Sequence, residues 1–171
     1  LSVFGASPDG ICDTTSPKEY IGRMLEIKCP PKRQFTNEVP LHYWMQMQGQ
    51  LEVCDLEECD FLQVKIEEYN SFRDYVEDTP DSNFLGQTKE GLPKGLVLTF
   101  KIQEIGKTEY SLHYEYSPWS IDNETLRLWK ENTIKETLEK YLCDIDIHCS
   151  LLEEKYWSIK RYECTLVRRD K

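Results

Sequence analysis

The chain has 171 residues, enough for one domain of ordinary size with a core of its own. A formal net charge of −10 counts at first sight against nucleic-acid binding, but net charge says little about a local cleft. No apolar run approaches the ~20 residues that span a bilayer, and no charged segment followed by an apolar stretch opens the chain, so neither a membrane protein nor a secreted one is expected.

The first residue is Leu1, already within an apolar segment, which sets the expectation that the true N-terminus lies upstream. Leu1 to Ala6 reads as the end of a strand. Ser7-Pro8-Asp9-Gly10 is a turn with a mechanism: Pro presets φ at its second position, and Gly tolerates positive φ at its fourth. Ile11-Cys12 begins a return strand, giving a hairpin. After a polar loop, Ile21 to Cys29 is a second strand, ended by Pro30-Pro31. Side chains in a strand alternate, so Glu26 and Lys28 share one face and Leu25, Ile27 and Cys29 the other. Taken alone, that pattern is an edge strand with a solvent face. Asp9, in a turn that brings it alongside, opens the other possibility of a site.

Pro40 suits the first position of a helix running to about Cys54. Its stripe of Leu41, Trp44, Met45, Met47, Leu51 and Cys54 includes Gln48, with Gln46, Gln50 and His42 on the other side. An inward Gln48 is either a satisfied core amide or a site residue. Cys59 to Glu68 reads as a strand, and Asn70 or Ser71 caps a short helix through Val76. Residues 77–92 read as a polar loop. Gly95 to Glu104 and Glu109 to Tyr116 form a hairpin. A long helix is expected from about Asp122 to Cys143, a second from about Ile147 to Trp157, and a final strand from Lys160 to Val167.

Seven cysteines without a Cys-x-x-Cys spacing read as reduced thiols of a cytosolic compartment rather than as zinc ligands. His42, His113 and His148 form no ligand spacing. Trp119, Trp129 and Trp157 read as core aromatics ahead of base-stacking ones. Lys32 and Arg33 cluster near the turn and strand. Lys160, Arg161, Arg168, Arg169 and Lys171 form a basic C-terminus open to weak phosphate contact.

The chemistry of the first cluster is that of a metal-dependent phosphodiesterase. Asp9 and Glu26 supply two carboxylates and Ile27 a backbone carbonyl for Mg²⁺, with Mn²⁺ as a substitute. Lys28 would orient or deprotonate the attacking water, and Gln48 would hold Lys28 or that water. In-line attack leaves a 5′-phosphate and a 3′-hydroxyl.

The stretches Gly-Ala-Ser-Pro-Asp-Gly (5–10), Leu-Glu-Ile-Lys-Cys-Pro (25–30) and Tyr-Trp-Met-Gln-Met-Gln-Gly-Gln-Leu (43–51) together resemble the lambda-exonuclease-like, or YqaJ-type viral recombinase, branch of the PD-(D/E)xK nucleases. The resemblance covers roughly the first seventy residues. The remainder is similar in general look to versions from large eukaryotic DNA viruses. It implies an α/β, restriction-endonuclease-like core with a mixed sheet flanked by helices. The whole of 1–171 would be one nuclease domain lacking its N-terminal helices, with motifs in 1–70 and a sheet extension and helices in 71–171.

By the same resemblance Asp9 and Glu26 would be metal ligands, Lys28 the catalytic lysine and Gln48 the motif residue of the helix. Ser7, Tyr43, Lys32 and Arg33 would meet DNA. The implied activity is 5′→3′ digestion of duplex DNA ends in a host-cell cytoplasm or viral replication site. The implied partners are DNA, further copies of the chain, or a single-strand annealing protein. The family's upstream acid and phosphate-binding arginine would precede Leu1. The alternatives are a catalytically inactive DNA-binding or scaffold relative, and an unrelated interaction domain in which Glu26 and Lys28 are an exposed pair.

Overall fold

A computed structural model describes residues 5–30, 38–80, 86–119, 122–142 and 145–170. The architecture is mixed α/β, with a six-stranded mixed sheet and flanking helices, compatible with a nuclease-like core. The chain divides into two compact units, one of residues 1–66 with 160–171 and one of residues 67–159.

The first unit is built on a βαβ crossover. Strand β1 (Gly10–Ile11) pairs antiparallel with β2 (Met24–Lys28), which runs parallel to β3 (Glu58–Glu68). Helix α1 (Leu41–Cys54) makes the crossover that a parallel pair requires. Met24, Cys59 and Phe61 on the sheet and Met47 and Leu51 on the helix form its core, with Val167 added from the last strand. Burial of this set is the main stabilising term, at about 25 cal/mol per Å² of apolar surface. The helix ends at Asp55, whose φ of 53° is left-handed. Its amide and that of Leu56 close the last turn on Leu51.

Of the first strand of the hairpin expected around the Ser7–Gly10 turn, residues 1–4 lie outside the described residues. Gly5 to Pro8 form no strand; β1 pairs forward with β2, around a loop closed by Cys12 N–H to Arg23 O and Gly22 N–H to Cys12 O, both 2.9 Å. Gly22 sits at φ 78°, a backbone that side chains resist.

The second unit holds α2 (Phe72–Glu77), β4 (Lys94–Glu104), β5 (Ser111–Tyr116) and α3 (Asn123–Leu142), with the first part of β6 (Ile147–Arg168). Ser71 caps α2 by accepting from Asp74 N–H at 3.1 Å, as its position predicts. Strand β4 lies between β6 and β5. Alternation along β4 directs Leu96, Leu98 and Phe100 to one face, where Tyr75 and Leu126 pack on them. The expected helix over 147–157 is instead strand: β6 runs 22 residues without a break, and Ile147 to Ser158 pair with β4. Trp119, expected in the core, is exposed.

Candidate active site

Strand parity is as read from the sequence, but the face it sends inward is the charged one. Met24, Glu26 and Lys28 alternate onto the face covered by α1, and Glu26 is only 2% exposed, whereas Ile27 on the opposite face is 38% exposed. The edge-strand reading of Glu26 is therefore corrected. A buried carboxylate needs donors, because transfer from water without them costs several kcal/mol. Three donors meet it. Lys28 Nζ bonds Oε1, Gln46 Nε2 donates to Oε1 at 2.7 Å, and Gln50 Nε2 donates to Oε2 at 2.9 Å. Gln46 and Gln50 stand four residues apart on α1 and so share a face.

The expected helix phase holds for Met47 and Leu51, which are wholly buried, but not for the glutamines. Gln50 is 4% exposed and faces Glu26, while Gln48 lies elsewhere. The Gln48 side chain donates to Arg168 O at 2.9 Å and accepts from Asp170 N–H at 2.8 Å, tying the end of β6 to the helix. Leu41 and Met45, placed inside by hydropathy, are exposed. Met47 and Leu51 of the expected stripe lie in the core, while Gln46 and Gln50 beside them reach Glu26.

Asp9 reaches the same strand. Its Oδ2 accepts from the Ile27 N–H at 2.6 Å. The β1–β2 register, Gly10 opposite Leu25 and Ile11 opposite Met24, puts Asp9 opposite Glu26 when extended by one residue. Ser7 contributes its carbonyl, which accepts from Gln50 Nε2 at 3.2 Å. Tyr43 lies under the lysine: Lys28 Nζ is 5.1 Å from its ring centroid, and the ring is 5.5 Å from that of Phe61. Lys32 and Arg33 lie outside the described residues.

Gln46 and Gln50 are the members that sequence reasoning missed. Gln63 is buried and stands in register with Lys28 on β3. The spacing of Gln46 and Gln50 was the available signal. Of the basic C-terminal residues, Arg168 pairs with Glu58, and Arg169 with Glu52, Asp55 and Glu57, while Lys171 lies outside the described residues.

The donor set suits a hard divalent cation. Among the described residues no three His, Cys, Asp or Glu side chains cluster at ligand spacing. The available ligands are two carboxylates and the Ile27 carbonyl, all oxygen, and a cation that retains several waters accepts such a set. The carbonyl of a strand residue projects to the same edge as its N–H, so Ile27 C=O shares the edge on which Asp9 sits. Gln50 Oε1 is buried with no hydrogen-bond partner, an acceptor of the kind that bound water satisfies.

The site is thus a buried carboxylate–lysine pair at the C-terminal end of a strand in a βαβ unit, with a second carboxylate bound to the intervening residue. The fold around it is compatible with an α/β nuclease-like core. The YqaJ-like viral recombinase domain matches residues 2–57, which hold Asp9, Glu26, Lys28 and all three helix glutamines, and over that stretch the chain is similar to this family. Over 98% of its length the chain is 33% identical to an uncharacterised protein of Acanthamoeba polyphaga mimivirus. It spans about a third of the length of that relative. Among the described residues no helix is long and apolar enough to cross a membrane.

Proposed function

We propose that the chain is the catalytic core of a Mg²⁺-dependent deoxyribonuclease that digests duplex ends 5′→3′ in recombination, repair or viral genome processing. The observation that carries the reading is Glu26, buried beside Lys28 and held by amides of α1, with Asp9 fixed to the next residue. The family match, a recombinase domain of viruses, supports it.

Asp9, Glu26 and the Ile27 carbonyl would hold the ion, which when bound supplies positive charge at the scissile phosphate and acidifies a water. Gln46 and Gln50 fix one Glu26 oxygen each, so the carboxylate is oriented before substrate arrives. Lys28 is anchored by Glu26 and the Tyr43 face. An ammonium has three donors, so the Glu26 bond leaves capacity for a phosphate oxygen or the attacking water. Tyr43 and the Ser7 turn border this group and would meet the DNA strand.

The test is degradation of end-labelled linear duplex DNA in Mg²⁺ or Mn²⁺, with Lys28→Ala in parallel. The expected result is metal-dependent digestion that falls by about 10²- to 10⁴-fold in the variant. Absence of digestion in either metal, or an alanine variant as active as the parent, refutes the assignment. A relative that only binds DNA would give the first pattern, no digestion in either metal, together with retained duplex binding.

A further inference from the structure

We propose that Gln50 is a positioning residue that sets the spacing of the two candidate metal ligands, an inference that rests on the nuclease reading. Its Nε2 donates to Glu26 Oε2 at 2.9 Å and to Ser7 O at 3.2 Å. One amide nitrogen has two protons, and both are used. The orientation of the amide is fixed by this pattern, because exchanging N and O would set an oxygen against two acceptors.

The two acceptors belong to the two arms of the site. Glu26 is itself a candidate ligand, on β2. Ser7 precedes Asp9 by one proline, whose ring fixes φ, so displacement of the Ser7 carbonyl is transmitted to Asp9. Gln46 reaches Glu26, but Gln50 reaches both the carboxylate and the turn. The side chain is 4% exposed and follows Gly49 on a helix whose Met47 and Leu51 are wholly buried, so its amide is held by the core and not by solvent. Its Oε1, buried and without a partner, leaves an acceptor within the same pocket. The helix therefore clamps the Asp9 turn to the Glu26 strand through one amide.

The experiment measures Mn²⁺ binding by electron paramagnetic resonance on the full chain, with Gln50→Met, Gln50→Asn and Glu26→Gln. Methionine keeps the volume without the amide; asparagine keeps the amide but is too short to reach both acceptors. Each Gln50 variant should weaken Mn²⁺ binding by about 10- to 100-fold, as loss of an outer partner of a metal ligand does. Combined with Asp9→Asn, the losses should be less than multiplicative, since there is then no spacing left to set. A role confined to core stability would leave Mn²⁺ affinity of the folded variants unmoved.

If the parent and Glu26→Gln bind Mn²⁺ alike, the nuclease reading itself fails. If the parent binds at Glu26 and a folded Gln50 variant binds as tightly, the positioning role alone is overturned. Circular dichroism decides which variants are folded, and Gln50→Asn is judged by itself should Gln50→Met not fold. Loss of folding in both assigns Gln50 to the core and also overturns the positioning role.

Discussion

The Asp9 carboxylate accepts the Ile27 amide proton at 2.6 Å, so an acid in a turn is fastened to the residue between Glu26 and Lys28. This separates two contributions of Asp9. Asp9→Asn keeps a carbonyl oxygen as acceptor and loses the charge. We expect stability within about 0.5 kcal/mol of the parent but nuclease activity lower by at least about 10²-fold. Asp9→Ala loses the hydrogen bond too and should cost roughly 1 kcal/mol more in urea unfolding. Equal activity of parent and Asp9→Asn would remove Asp9 from the site.

The three helix glutamines divide by function. Gln46→Ala removes a donor from the buried Glu26 and should reduce nuclease activity more than Gln48→Ala does. Gln48→Ala should chiefly free the residues around Arg168 and Asp170, read as faster amide exchange at Asp170. Greater loss of activity in Gln48→Ala would restore the phase read from hydropathy.

Much of this site was legible before the structure, for definite reasons. Alternation along a strand is set by backbone geometry alone, so placing Glu26 and Lys28 together required no tertiary information. The Pro-Asp-Gly turn located Asp9 in the same way. The rotation of α1 was legible only in part: Met47 and Leu51 of the apolar stripe are buried as expected, but a buried glutamine gives no hydropathy signal. Only the carboxylate on another element decides which amides turn inward. The β6 strand over Ile147 to Trp157 failed for a related reason. Leu151-Leu152-Glu153-Glu154 does not alternate cleanly, and its extended form comes from pairing with β4, in which Leu152 is skipped between the partners of Thr99 and Phe100.

Cys59 provides a pH test of the first unit's core. Burial, then the nearby Glu26 and Asp60 charges, pushes its thiol up to about 12. The folded state thus holds this proton more tightly than the unfolded chain, whose thiol titrates near 9.0. Its contribution to stability is complete below that lower value and is lost as pH rises through the upper one. Urea midpoints should fall between about pH 9 and 12, less steeply in Cys59→Ala. Burial also raises the Tyr75 and Tyr69 hydroxyls in the second unit, with the same sign. At neutral pH exposed Cys29 should react with a thiol reagent while Cys59 does not.

Lys94 anchors the end of α2 in the second unit. It is 3% exposed, and its ammonium donates to Asp78 O at 2.7 Å, to Thr79 Oγ1 at 2.9 Å and to Tyr75 O at 2.5 Å, with the Tyr75 ring centroid 4.3 Å away. Lys94→Met keeps the stem but strands those acceptors. It should cost about 2–4 kcal/mol in thermal or urea unfolding. A cost below about 0.5 kcal/mol would show that water replaces the ammonium there.

Release of 5′-phosphorylated nucleotides from linear duplex DNA in Mg²⁺, by the parent and by Glu26→Gln, tests the central claim most directly. Glutamine preserves the shape of the buried side chain, and circular dichroism should be the same for both. The parent should release such products and Glu26→Gln should release almost none. Equal release by the two, or none by either, would contradict Glu26 as the centre of a nuclease site.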